Sequence, residues 1–543
     1  MSAARVAPQL AVVGLDGVSF NVLMPMVDRG ILPNFRRLLD LGAHGPLIST
    51  VPWQTPVAWT SMATGVNPGG HGVYGWWNPD LRSGELVPVS GAQVERARYW
   101  EVLSGTGVAV GVVNVPMSYP ARPVRGFTIA GLDCPSSAPE EDPLLAYPRG
   151  VLDEVARTTP DGVRRYRVMP ERLDGEDTLA AATRWTEVER HRADSFFALV
   201  ERYRPGFVQL NLFATDHIAH RTRPGDPARD LAYRSADEFL GRFLDRYPDT
   251  DVLVVSDHGS CPIDHFLMVH NFLRELDVLH FGPWLADEQV PVVLGPHASA
   301  EECARLVERL RREGRGTRAE MFERHRDRFP GANVGFSTID WDRTSAFCTS
   351  DYGQLRINRE RGAGAVVSDA KHRRLLERLG AAFLDLRRPS GEPLVERVLR
   401  RDELYRGPHA AAGPDLTPVP AATDVYFCQV YSFYGTGEGR LLAPIGEVVD
   451  PARTGCAGDH HAEGVLIAAG PRITARGRLA EASLLDIAPT VLDLFGVEPL
   501  PEHEGVVLAD LRGRDRRGPS PGEPVDEQAE GLRRRLMSLG YRI

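Results

Sequence analysis

Short β-branched runs alternate with helical periods along this chain. LAVVGL, Leu10 to Leu15, is apolar at every position and stops at Asp16-Gly17, the pattern of a buried strand closed by a turn. NFRRLLDLG follows with apolar residues at helical spacing and a stop at Gly42, and VAVGVVNVP reads as a strand with Pro116 behind it. FVQLNLF and DVLVVS are further strands, each running into polar residues. Strands separated by helices predict an α/β fold with a mainly parallel central sheet, in which functional residues gather beyond the carboxyl ends of the strands.

The pattern weakens in two places. Residues 135–200 are rich in Arg, Glu and Asp and contain DTLAAATRWTEVERHRADSFFALVERY, which reads as a helical cap insertion. Residues 266–342 carry the charged stretch AEECARLVERLRREGRGTRAEMFERHRDRF, expected as a peripheral insertion. These interruptions divide the core into 1–134, 201–265 and 343–511, and 512–543 reads as a linker, RGRDRRGPSPGEP, followed by a terminal helix. No internal repeat is present.

Composition narrows the function classes. With 43% hydrophobic and 25% charged residues among 543, the chain can bury a large core, and nothing suggests disorder. A formal net charge of -10 argues against a nucleic-acid polymer as the main partner, since that binding is driven by phosphate neutralisation. Cys134, Cys261, Cys303, Cys348, Cys428 and Cys456 form no CxxC pair, so no thiolate metal site or dithiol motif is written here. The first residues lack a signal-peptide pattern and no run is long enough to span a bilayer, so a cytoplasmic protein without a membrane partner is expected.

Candidate chemistry sits where the strands end. Asp16 follows LAVVGL, Asp216 and His220 follow FVQLNLFAT, Asp257-His258 follow DVLVVS, and His460 lies in GDHHAEGVLIAAGP just before another apolar run. A lone Asp-Gly after a strand is usually a turn. Three carboxylates and three imidazoles at one kind of topological position are a ligand set for oxygen- and nitrogen-preferring cations, zinc first and manganese or iron after it, in sufficient number for two ions.

One more stretch carries possible reactivity. STVPWQTPVAWTSMATG holds six hydroxyls between Ser49 and Gly65. A helix beginning at Pro56 makes Thr55 its N-cap, at a helix end whose field favours a phosphate and an alkoxide. Thr60, Ser61 and Thr64 fall inside that helix, where hydroxyls usually bond back to carbonyls, and Ser49 and Thr50 lie in an extended segment. His71, His265 and His270 are expected as loop or packing residues, and Trp76 and Trp77 as either pocket or core aromatics.

Taken in order, GLDG, STVPWQTPVAWTSMATGVNPGGHGV, TDHIAH, VVSDHG and GDHHAEGVLIAAGP resemble the alkaline phosphatase superfamily, most closely its type I phosphodiesterase and nucleotide pyrophosphatase branch. DWDRTSAF, YGQLRINRERGAG and LLDIAPTVLDLFGV agree with that branch as well. The resemblance implies a three-layer sandwich with inserted caps and a small-molecule phosphate ester or nucleotide as substrate. It implies Asp216, His220 and His460 around one divalent metal, and Asp16, Asp257 and His258 around the other with Thr55 as the nucleophile.

The sequence departs from the pattern at three points. Pro56 directly follows Thr55 where the branch commonly has proline one residue later, His460-His461 offers two registers, and YGQLRINRERGAG lacks a Gly-Arg pair after Asn358. The implied reaction is hydrolysis through a phosphothreonine, with phosphomonoester hydrolysis and transfer to an alcohol as alternatives on the same site. A sulfatase is disfavoured because no C/S-x-P-x-R pattern occupies the nucleophile region.

Overall fold

The computed structural model describes residues 7–80, 85–131, 142–158, 177–280, 308, 312, 339–348, 352–428, 441–448 and 457–512. A ten-stranded sheet runs through its centre. Leu10–Leu15 lies in the middle, parallel to Phe207–Leu212 on one side and to Asp251–Val255 on the other. Val110–Val115 and Gly126–Ala130 continue the parallel order beyond Phe207–Leu212. On the opposite flank Glu463–Ala469 is antiparallel to both Asp251–Val255 and Ala43–Ile48.

Alternation along the buried central strand shows why both faces are covered. Ala11, Val13 and Leu15 point into one apolar cluster, while Leu10 and Val12 point into another. The first cluster is closed by helices Phe20–Asp28, Pro33–Leu41, Thr178–Tyr203 and Pro227–Arg246, through side chains such as Leu23, Phe35, Phe196 and Leu240. The second is closed by Thr55–Thr64, Tyr99–Gly105 and Ile487–Leu494, through Trp59, Leu103 and Val491. Helices on both faces of a mainly parallel sheet give the expected three-layer α/β architecture.

The 26-residue helix Thr178–Tyr203, which starts inside 135–200 and runs three residues past it, packs in the first of these layers. Most of 266–342 and all of 513–543 lie outside the described residues, including the two charged helical stretches expected there. A smaller four-stranded sheet formed by Ala346–Cys348, Leu355–Ile357, Val395–Arg400 and Leu416–Pro420 packs on helix Asp369–Leu384 around its own apolar cluster. No described helix is long and apolar enough to cross a membrane.

Candidate active site

Adjacent parallel strands end on one edge of the sheet, so their following residues are neighbours in space. Asp16 follows Leu10–Leu15, and Asp257 and His258 follow Asp251–Val255. Phe207–Leu212 turns into helix Ala214–Ala219, which carries Asp216 and is capped by His220. The turn at Gly17 has φ +68°, and a Cβ there would lie 2.6 Å from Asp216 Oδ1. Glycine is therefore required both for backbone conformation and for the approach of that carboxylate.

His460 arrives from far along the chain. Gly458–His461 pairs antiparallel with Gly259–Pro262, setting His460 opposite Ser260, and its ring stacks on that of His258 with centroids 3.7 Å apart. Neighbouring strand residues point oppositely, so His461 leaves the cluster and accepts from the Glu463 N–H instead. The two-register ambiguity in the sequence is resolved geometrically in favour of His460 as the inward residue.

The six side chains then converge. His258 Nε2 lies 3.4 Å from Asp16 Oδ1 and 3.2 Å from Asp257 Oδ2, while His220 Nε2 and His460 Nε2 lie 3.3 Å and 3.5 Å from Asp216 oxygens. His220 Nε2 and His460 Nε2 also face each other at 3.0 Å. Each ring has its other nitrogen beside a backbone carbonyl: Gly458 for His220, Gly259 for His258 and Trp53 for His460, all at 3.0 Å. With Nδ1 turned to those carbonyls each Nε2 points inward, the orientation required of a metal ligand.

A divalent cation fits this arrangement on electrostatic grounds. Asp16 Oδ1, Asp216 Oδ1 and Asp257 Oδ2 are buried and accept no hydrogen bond. Burial, aided by the charge of Asp216, raises the Asp16 carboxyl well above the usual carboxylate range, and burial with Asp16 and Asp216 does the same to Asp257. For Asp216 burial acts upward too, yet His220 and His460 hold it well below that range. Burial opposes the charge on His220, but Asp216 outweighs it and pushes that imidazole to about 9; burial takes His258 down to about 4. Inward imidazole nitrogens beside buried carboxylate oxygens that accept no hydrogen bond are what a bound cation satisfies.

Three overlapping triads could each hold a metal ion. Asp16, Asp257 and His258 form one, and Asp216, His258 and His460 form another, with His220 grouped with Asp459 and His460. His258 and His460 are thus shared between triads, and Asp459 joins a group from which the sequence reading omitted it.

Thr55 lies at the rim, 6% exposed, with Oγ1 3.2 Å from His258 Nε2. Its expected N-cap role needs correction. Gln54 is the N-cap: its extended backbone carbonyl accepts from the N–H groups of Val57 and Ala58, and Thr55 is the first helical residue with Pro56 second. Proline is still tolerated because an N–H in the first turn has no partner within the helix. Freed from capping, the Thr55 hydroxyl faces the cluster.

The other hydroxyls behave as their positions predict, with one exception. Thr60 and Thr64 donate to the carbonyls of Pro56 and Thr60, whereas Ser61 pairs with His71 Nε2 at 2.8 Å. His71 Nδ1 accepts from Val73 N–H, so His71 ties the helix to the following loop. Asn358 donates to the carbonyls of Thr344 and Arg361 and braces its own loop, and His265 faces Asp424.

Residues 10–334 match the family described as Phosphodiest, type I phosphodiesterase / nucleotide pyrophosphatase. The chain belongs to this family. The type I phosphodiesterase / nucleotide pyrophosphatase assignment makes it a phosphate-ester hydrolase. No curated protein sequence matches it.

Among solved structures, phosphonoacetate hydrolase from Sinorhizobium meliloti 1021, with phosphonoformate or with phosphonoacetate, aligns at TM-score 0.52 and 16% identity over 89% of this chain and 94% of that one. That similarity shows a shared fold. Murine ectonucleotide pyrophosphatase / phosphodiesterase 5 aligns at TM-score 0.49 and 13% identity, over 92% and 97% of the two chains.

Three supporting residues of this phosphodiesterase-family centre escaped the sequence reading. Trp59 donates its indole N–H to Asp16 Oδ2 at 3.0 Å, and its place four residues after Thr55 on one helix was the available signal. Tyr352 Oη lies 2.6 Å from His460 Nδ1. Glu189, on helix Thr178–Tyr203, accepts from the N–H groups of Phe213 and Ala214 and so closes the start of the helix bearing Asp216. Tyr352 opens YGQLRINRERGAG, but nothing local marks its contact with His460 or singles out Glu189, because both act across long separations.

Proposed function

We propose that this protein is a metal-dependent phosphodiesterase or nucleotide pyrophosphatase that works through a phosphothreonine on Thr55. The observation that carries the reading is the inward convergence of the Nε2 atoms of His220, His258 and His460 on the unpaired oxygens of Asp16, Asp216 and Asp257, with Thr55 Oγ1 beside His258. Asp16, Asp257, His258 and Thr55 would hold one divalent ion, and Asp216, His220 and His460 the second. Zinc suits this oxygen and imidazole set best, ahead of manganese or iron.

Bound there, the ions supply positive charge that acidifies the Thr55 hydroxyl and neutralises phosphoryl oxygens. The chain's own groups do the rest. Thr55 Oγ1 forms a bond to phosphorus as the ester oxygen leaves, and water later cleaves the phosphothreonine to release phosphate or its monoester. Trp59 holds the Asp16 carboxylate and the Gly458, Gly259 and Trp53 carbonyls hold the imidazole tautomers throughout.

The test is metal analysis of the purified protein coupled to turnover of paired chromogenic monoester, diester and nucleotide-ester substrates, with phosphonoacetate included because that substrate belongs to a protein of the same fold. The reading expects two divalent ions per chain and a higher kcat/KM for diesters. A clear preference for monoesters would shift it to a phosphomonoesterase, and product formation only with an added alcohol would shift it to a phosphotransferase.

A further inference from the structure

Arg229, on helix Pro227–Arg246, is 1% exposed, and its hydrogen bonds all go to neutral oxygens of one turn. Nη2 donates to the carbonyls of Ala219 and Thr222 at 2.8 Å and 2.6 Å, and Nε donates to Thr222 Oγ1 at 3.2 Å. Nη1 is buried without a partner. A guanidinium buried on neutral oxygens alone is costly, and its planar fork imposes one geometry on the turn that it grips.

That turn carries His220, directly after helix Ala214–Ala219. Thr222 Oγ1 donates to the Ile218 carbonyl at 2.6 Å, so Arg229 and Thr222 together occupy the last carbonyls of the helix that bears Asp216. The His220 carbonyl is left to accept from the N–H groups of Ala457 and Gly458 at 2.7 Å and 3.3 Å, and the His220 ring meets the Gly458 carbonyl. A Cβ on Gly458 would lie 2.5 Å from the Ala219 oxygen. The carbonyl held by Arg229 is therefore packed against the start of Gly458–His461, the strand that bears His460.

We infer that Arg229 is a positioning residue: it fixes the turn that presents His220 to the strand of His460, and thereby the affinity of the ion that Asp216, His220 and His460 would share. Asp16, Asp257 and His258 follow other strands, and no hydrogen bond of Arg229 reaches their turns. The inference rests on the two-ion reading above and adds a residue that acts on one ion of the two. Cobalt titration of the full-length, metal-free protein against a chromogenic chelator resolves the two ions, and the step missing in His220→Ala marks the one in question. Arg229→Lys, which keeps the charge but not the fork, is expected to weaken that ion about tenfold and the other by about twofold or less. Thr222→Val deletes the Oγ1 link in the same turn and keeps the side-chain shape. It is expected to weaken the same ion about threefold, and it serves if the first variant does not fold.

Equal weakening of both ions, or weakening of neither, overturns the inference. Hydrogen exchange at the Ala457 and Gly458 amides of the metal-free protein reads the placement of His220 without any ion. It is expected to quicken about fivefold or more in each folded variant, and unchanged exchange overturns the inference as well. Fewer than two ions in the unaltered protein removes the two-ion reading, and the exchange result then decides the role of Arg229 by itself.

Discussion

Trp59 donates its indole N–H to Asp16 Oδ2 at 3.0 Å, joining the helix that begins at Thr55 to the end of the central strand. The bond uses one oxygen of Asp16 and leaves the other, Oδ1, turned towards His258. Trp59→Phe keeps the ring in its apolar surroundings and deletes the donor. It is expected to weaken metal affinity about 10-fold to 100-fold, the usual cost of losing a partner behind a ligand, with little change in the melting temperature of the metal-free protein. Competition with a chromogenic chelator measures the first and thermal unfolding the second.

Thr55→Ala removes the proposed nucleophile from a position already buried and helical. Turnover should fall by at least roughly 1,000-fold while metal content and fold are retained. Thr55→Ser, which keeps a hydroxyl at the same helix end, should recover part of the rate. Activity in the alanine variant near that of the unaltered protein would remove Thr55 from the mechanism.

Asp257→Asn separates the cost of the site from its use. In the metal-free protein, Asp16, Asp216 and Asp257 repel one another inside a buried cluster, so neutralising one of them should raise the metal-free melting temperature. The amide can keep the acceptor for the Gly17 N–H and place a donor beside His258 Nε2. Added zinc should stabilise the unaltered protein strongly and this variant hardly at all, a contrast that thermal shift with and without the ion reads directly.

Glu189 is buried and burial raises its carboxyl, yet two backbone N–H groups at the start of the Ala214–Ala219 helix use it as their acceptor. Glu189→Ala should cost about 1–3 kcal/mol of stability by stranding those donors. Glu189→Gln, which keeps an acceptor oxygen, should recover most of this loss in denaturant unfolding.

His71 gives the fold an acid limit. Burial holds its imidazole down to about 3, and it serves as a neutral link between Ser61 and Val73. The unfolded chain therefore binds the extra proton first, near the ordinary histidine value, so stability is full above about pH 6.5 and is lost as pH falls towards 3. The slope approaches about 1.4 kcal/mol per pH unit for this residue alone. His503, lowered to about 4 by burial, adds to the same trend. Urea unfolding at pH 7 and pH 5 should show a smaller difference in His71→Gln than in the unaltered protein.

Much of this molecule was legible from local pattern. Apolar runs such as LAVVGL and the VLVV of DVLVVS read as strands buried on both faces, and parallel order follows from the helices between them. Because residues just past such strands share one edge of the sheet, Asp16, Asp216, Asp257 and His258 could be named from position alone. Tertiary structure decided the rest. His460 was separated from His461 only by the pairing of Gly458–His461 with Gly259–Pro262, which chooses the face each ring takes. The helix start moved from Pro56 to Thr55 because the Gln54 carbonyl accepts from two N–H groups, a choice set by backbone geometry. Trp59, Tyr352 and Glu189 gain their partners across as many as 108 positions in the chain, as from Tyr352 to His460, and Asp459 meets His220 across a longer separation still. Periodicity reports which face of an element is buried, whereas contacts between distant elements depend on how those faces are brought together, and that information exists only in the folded chain.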